Sequence, residues 1–266
     1  MTAYIRGTEG VLNDVLTLLG ATTPSLWPCW EDTGTLITGI GVGDLTSAET
    51  AGVAEALEDD FAPLALGSPG RPSGLFSYHF HPTGDHHLAG IDHANYTFGN
   101  ALVDTPFSVG AWIRPTAIAS NTIIAKYDAA GTFREWRLWI DANGFLTLEL
   151  FDESANTSEI AASTTALTAG QLVMVTATYD GTEDNPAVWL YVDHTAVNAG
   201  TTAETGAYVA MEDTATPITI GCSGTTALPA DEFHGRITLP WITGKALTAA
   251  EVDDLYTLTA PLVGVC

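Results

Sequence analysis

The sequence predicts an all-β fold, a sandwich of two antiparallel sheets, and three observations carry that expectation. Phe107, Val109, Ala111 and Ile113 alternate with Ser108, Gly110, Trp112 and Arg114. This is the period-two pattern of a strand buried on one side, and Pro115 ends it. Downstream, similar short apolar runs follow one another with turn residues between them. Between two of these runs stands Asn143-Gly144, a strong signal for a tight hairpin. A chain of 266 residues holds one large all-β domain or two smaller ones, and it can bury a core that needs no covalent staples.

From the N-terminus, Val11, Leu12, Val15, Leu16, Leu18 and Leu19 recur at helical spacing, with Thr8 as N-cap and Gly20 as stop. They predict a short amphipathic helix in an N-terminal arm, residues 1–24. Its stripe must be covered by the sandwich or by a partner chain. In the second case Val11, Leu12, Val15, Leu16 and Leu19 are the assembly contacts. Leu26 to Asp32 reads as an entry strand into a main domain over 25–260. Thr46-Ser-Ala-Glu49 has the form of a capping box and predicts a helix to about Glu58, with Val53, Leu57 and Phe61 on one side. Residues 62–74, with three prolines and three glycines, read as loop, so 39–85 is expected as a helix-containing insertion.

A histidine-rich stretch follows. On a strand His79 and His81 share a face, and a turn at Pro82-Thr83-Gly84-Asp85 would bring His86 or His87 close, giving either a divalent-metal site or a polar hairpin. The regular strands then run through Ala89–Phe98, Phe107–Arg114, Thr122–Tyr127, Trp136–Ile140, Phe145–Phe151, Leu172–Tyr179, Val188–Val192, Ile218–Gly221 and Phe233–Ile242. Leu247-Thr248-Ala-Ala-Glu251 is a second capping box, opening a helix through Val252, Leu255 and Tyr256. Residues 261–266 are expected as a tail.

Thirty-two acids against 8 bases give a formal charge of −24, which excludes a basic nucleic-acid-binding face. Two readings explain an acidic surface with only two lysines, Lys126 and Lys245. Concentrated salt would screen such self-repulsion, as in a halophile, or a GC-rich genome would disfavour lysine codons. The odd count of cysteines, Cys29, Cys222 and Cys266, argues against a disulfide framework, with one Cys29–Cys222 bridge left open. No apolar run approaches a membrane span, and Met-Thr-Ala-Tyr-Ile-Arg does not open as an export signal.

Phe107-Ser-Val-Gly-Ala-Trp-Ile-Arg-Pro115, Ile123-Ile-Ala-Lys-Tyr127, Trp139-Ile-Asp-Ala-Asn-Gly144, Val175-Thr-Ala-Thr-Tyr-Asp-Gly181, Trp189-Leu-Tyr-Val-Asp193, Ile218-Thr-Ile-Gly221 and Phe233-His-Gly-Arg-Ile237 stand in a telling order. With Lys245-Ala-Leu-Thr-Ala-Ala-Glu-Val after them, the series resembles laminin-G-like domains of the concanavalin A-like lectin and glucanase superfamily from about Leu26 to Leu258. The resemblance implies a jelly-roll sandwich, glycan or protein binding, frequent calcium, and catalysis only in certain branches. Val192-Asp193-His194 stands where the family often has Val-Asp-Gly, and Thr238 replaces an acid often found after the Phe-x-Gly-x-Ile strand. Both departures weaken an inherited calcium site. Glu31, Asp32 and Asp92 are the remaining candidate oxygen donors.

The Glu-x-Asp-x-x-Glu spacing of the superfamily's glycosidases is absent, as are nucleophile elbows, phosphate loops and zinc-protease motifs, so no enzyme is expected. Two binding classes remain. A lectin-like module would stack sugars on Trp112, Trp136, Trp139, Trp189 or Tyr191, each of which has core packing as its alternative. Trp136 and Trp139 are three apart and therefore face opposite sides of one strand. A virion structural protein of a tailed virus would display the sandwich as a capsid decoration, turret or tail component, beside other virion proteins, copies of itself and a host-surface glycan. An extracellular type of domain without an export signal favours this virion setting as the expectation.

Overall fold

The computed structural model describes residues 2–20, 24–27, 36–37, 45–48, 77–80, 86–182, 188–198, 202–204, 207–225 and 228–265. Helix α1 (Thr2–Leu19) leads to β1 (Ser25–Leu26), β2 (Leu36–Ile37), β3 (Leu45–Ala48), β4 (Tyr78–Phe80) and β5 (His87–Ala89). The long strands follow: β6 (Phe107–Pro115), β7 (Asn121–Asp128), β8 (Phe133–Ile140), β9 (Phe145–Asp152), β10 (Thr157–Ala166) and β11 (Val173–Tyr179). Then come β12 (Val188–Val192), β13 (Thr195–Ala196), β14 (Thr202–Glu204), β15 (Thr219–Ile220), β16 (Ser223–Thr225), β17 (Leu228–Ala230), β18 (Gly235–Thr243) and helix α2 (Ala249–Thr259). Sheet A has the order β1-β18-β6-β11-β12-β13, with β4 also paired to β18, and sheet B the order β14-β10-β9-β8-β7-β15-β5-β3-β2. Strands β16 and β17 form a separate hairpin. The expected sandwich of two antiparallel sheets is the fold.

Strand β6 lies near the middle of sheet A between β11 and β18, with Val109 opposite Ala177 and Ile242. Phe107, Val109, Ala111 and Ile113 point into the sandwich core with Ile124, Trp136, Leu138, Leu148 and Leu150 of sheet B. The expectation of a strand buried on one side is corrected here, because the other face is covered too. Trp112 joins Leu12, Val15, Leu19, Trp241, Val252 and Leu255 in a second core between sheet A and the two helices. Gly110 makes room for that layer: a Cβ there would lie 2.4 Å from the Val175 carbonyl oxygen and 2.7 Å from the Trp241 ring.

Helix α2 begins as predicted. Thr248 caps it by accepting from the Glu251 amide, and Glu251 reaches back to the Thr248 amide at 2.9 Å. Helix α1 is longer than expected and does not stand apart as an arm. Leu12, Val15 and Leu19 are buried against α2 and sheet A, with Val11 and Leu16 packed beside them. These five residues, expected as assembly contacts, thus pack within their own chain. The expected tail is also docked, through a 3-10 turn at Ala260–Val263 that buries Val263.

Three local expectations are overturned by sheet pairing. Leu45–Ala48 is a strand and not a helix start, with Thr46 opposite Ala89 and Ser47 opposite Leu88. The remainder of that predicted helix lies outside the described residues. The described parts of the supposed insertion 39–85 include β3 in sheet B and β4 in sheet A, so these strands belong to the sandwich, and the rest of the insertion except Ser77 lies outside the described residues. The described strands on either side of the histidine turn do not pair with each other, because β4 pairs with β18 in sheet A whereas β5 pairs with β15 and β3 in sheet B, and the turn itself lies outside the described residues.

Candidate binding site

Strand alternation decides which side chains sheet B presents. Trp136, Leu138 and Ile140 of β8 and Leu146, Leu148 and Leu150 of β9 point into the core. Their neighbours Arg137, Trp139, Glu149 and Phe151 therefore come to the outer face, where Tyr127 of β7 joins them. The Arg137 guanidinium lies 3.9 Å from the centre of the Trp139 ring and 4.5 Å from that of Tyr127. Its Nε donates to Glu149 Oε2 at 2.6 Å and its Nη1 to Asp231 Oδ2 at 2.7 Å. Burial pushes the Tyr127 phenol up to about 12, and the Glu149 charge adds to the rise. The array is therefore a fixed row of aromatic and guanidinium planes held by two carboxylates.

Beside this row opens a cleft of about 180 Å³, lined in part by Tyr127, Asp128, Arg137, Ser223, Gly224 and Asp231. Asp231 adopts φ +46°, a strained backbone for a residue with a side chain. The Thr122 amide donates to its carbonyl at 2.8 Å, and Arg137 holds its carboxylate. Asp128 Oδ1 accepts from the Ala130 and Gly131 amides, each at 3.1 Å, and so shapes the turn at the cleft's edge. A second guanidinium reinforces the face: Arg134 lies 3.6 Å from the Phe151 ring centre and donates to Glu153 at 2.8 and 2.7 Å. The hydrogen bond from Arg134 holds the Glu153 carboxyl below its ordinary range.

Of the predicted aromatic residues, Trp139 is the one that reaches this face, where it is half-buried. Trp112, Trp136 and Tyr191 are corrected to packing residues. The Trp112 indole N–H donates to Thr259 Oγ1 at 2.9 Å beneath α2, and that of Trp136 donates to the Tyr96 carbonyl at 2.8 Å in the sandwich core. Tyr191 is buried in the helix-covered layer. Trp189 is exposed, but on β12 of sheet A.

Of the metal candidates, His79 and Asp92 lie among the described residues. His79 stands opposite Arg236 in sheet A, and the Asp92 carboxylate lies 3.1 Å from the Lys126 ammonium, which occupies the place a cation would need. Glu31, Asp32 and His81 lie outside the described residues. Among the described residues no three His, Cys, Asp or Glu side chains converge on a common point. Sequence reasoning missed Tyr127, Arg137, Glu149 and Asp231. The available signal was Arg137 two residues before Trp139, a charge on the same strand face in a chain with few bases.

Residues 89–253 match the family model described as the concanavalin A-like lectin/glucanases superfamily. No curated protein matches the chain in sequence. Among solved structures the chain is similar to the binding domain of botulinum neurotoxin DC in complex with SialylT, at 14% identity and a TM-score of 0.54, over 90% of this chain and 52% of that one. It is similar to botulinum neurotoxin type C, whose cell entry depends on two ganglioside molecules, at 13% identity and TM-score 0.56, over 88% and 51%. It is also similar to domain 4 of AbnA, an extracellular GH43 arabinanase of Geobacillus stearothermophilus in complex with arabinotriose, at 18% identity and TM-score 0.50, over 81% and 88%. The chain spans about half the length of the neurotoxin structures. At these identities the likeness is one of fold.

Proposed function

The chain belongs to the concanavalin A-like lectin/glucanases superfamily, and from that premise we propose that it is a lectin-like module that binds carbohydrate on the outer face of sheet B without transforming it. The observation that carries this reading is the Tyr127–Arg137–Trp139 row beside a cleft with carboxylates at its edge. Sugar rings offer apolar C–H faces and hydroxyl edges. Indole and phenol surfaces suit the first, and guanidinium and carboxylate groups suit the second. Glu149 and Asp231 are both engaged by Arg137, which suits holding a ligand better than proton transfer. A similar fold is the binding domain of botulinum neurotoxin DC, and domain 4 of AbnA with a similar fold is in complex with arabinotriose.

The virion setting, expected from an extracellular type of domain without an export signal, gains nothing from the fold or the site. The α1 stripe that would dock the chain on a larger assembly is buried within the chain itself. Among the described residues no helix is long and apolar enough to cross a membrane. The lectin-like module is accordingly the reading adopted, ahead of the virion structural protein. A glycan array followed by titration calorimetry tests it. Binding is expected, and Trp139→Ala should weaken it at least about tenfold while the melting temperature is kept. An array without a single bound saccharide would remove the proposal.

A further inference from the structure

We propose that the cleft selects neutral saccharides and rejects acidic ones such as uronates and sialylated or sulfated glycans; this rests on the carbohydrate-binding reading above. The inference starts from Arg137, the one cation among the described residues that lines the cleft. It already holds Glu149 and Asp231, and Asp128 lines the same space. Two carboxylates thus engage one guanidinium, and a third lines the same cleft. An incoming carboxylate or sulfate would have to displace Asp231 or Glu149 from it or enter a region of net negative charge, and either costs affinity.

No other described cation is placed to help. Lys126 holds Glu135, Arg134 holds Glu153, Lys245 holds Glu251, and Arg114 and Arg236 lie on β6 and β18 of sheet A, while the chain as a whole carries −24. The same groups suit neutral hydroxyls. Among the described residues Arg137 Nη2 and Asp231 Oδ1 have no hydrogen-bond partner. Nη2 offers donors and the partly exposed Asp231 offers an acceptor, so adjacent hydroxyls of one ring can be bound together, one accepting and the other donating.

The test is calorimetry at low salt with two panels: lactose and arabino-, xylo- and cello-oligosaccharides against sialyllactose and oligogalacturonate. A neutral saccharide should bind at least about tenfold tighter than either acidic probe, and the gap should narrow as sodium chloride is raised. Asp231→Asn, checked by thermal melting for an intact fold, should narrow the gap by removing one repelling charge. Acidic probes bound as tightly as neutral ones, or a gap unchanged by Asp231→Asn, would overturn the charge selection and leave the lectin reading standing. Failure of both panels would overturn that reading and this inference with it.

Discussion

Lys126 and Glu135 form an ion pair with no solvent exposure on either side chain. The ammonium also donates to the Thr214 carbonyl at 2.8 Å, and Glu135 Oε1 accepts from the Thr214 amide at 2.8 Å and its hydroxyl at 2.7 Å. The pair pins the segment before β15 to β7 and β8. Burial raises the Glu135 pKa and the Lys126 charge opposes that rise. A raised carboxyl binds its proton more readily in the folded chain than in the unfolded one, so its contribution to stability is present at low pH and lost as pH rises through the folded value. Lys126→Met removes the opposing charge and leaves an uncompensated carboxylate, which at neutral pH should cost about 3–5 kcal/mol. Urea melts should show the deficit relative to the parent shrinking as the pH is lowered and Glu135 takes up its proton. An equal deficit at pH 4 and pH 7.5 would contradict a charged, buried Glu135.

Among the elements, β6 has a packed layer on each side, so its one glycine carries unusual weight. Gly110→Ala would drive a methyl group into the Val175 carbonyl and the Trp241 ring. A loss of at least about 1–3 kcal/mol is expected from overpacking, read as a lower melting temperature, and an unchanged melt would show that the helix layer yields freely. The legibility of elements followed the strength of their alternation. β6 and the β8–β9 hairpin could be read because long apolar side chains alternate there. β10 escaped, since Thr157–Ala166 is built of Ser, Thr, Ala and one Glu around the single Ile160, yet it pairs with β9 along Asp152 to Phe145. Thr46-Ser-Ala-Glu49 misled in the other direction, its local capping signal yielding to pairing with β5. The site was legible only as far as the odd offset between Trp136 and Trp139. Arg137 and Asp231 meet across 94 positions of sequence, and no local pattern announces such a contact.

At the scale of the whole molecule, charge is the dominant quantity. Arg137 and Arg134 sit in partly buried pairs, with side-chain exposures of 12% and 17%, where mobile ions screen weakly. The remaining carboxylates greatly outnumber the cations and repel one another across the surface. Their repulsion spans a Debye length of about 30 Å at 0.01 M salt and only about 3 Å at 1 M. Added salt should therefore remove a cost of folding while leaving the buried pairs nearly intact, and the melting temperature should rise between 10 mM and 1 M sodium chloride. Potassium chloride should act equally, because screening depends on ionic strength and not on the identity of the cation. This measurement also separates the two origins of the acidic composition. Adaptation to salt requires that the acids crowd enough to oppose folding in dilute buffer. A codon bias against lysine makes no such demand, and a melting temperature indifferent to salt would leave that bias as the sufficient cause.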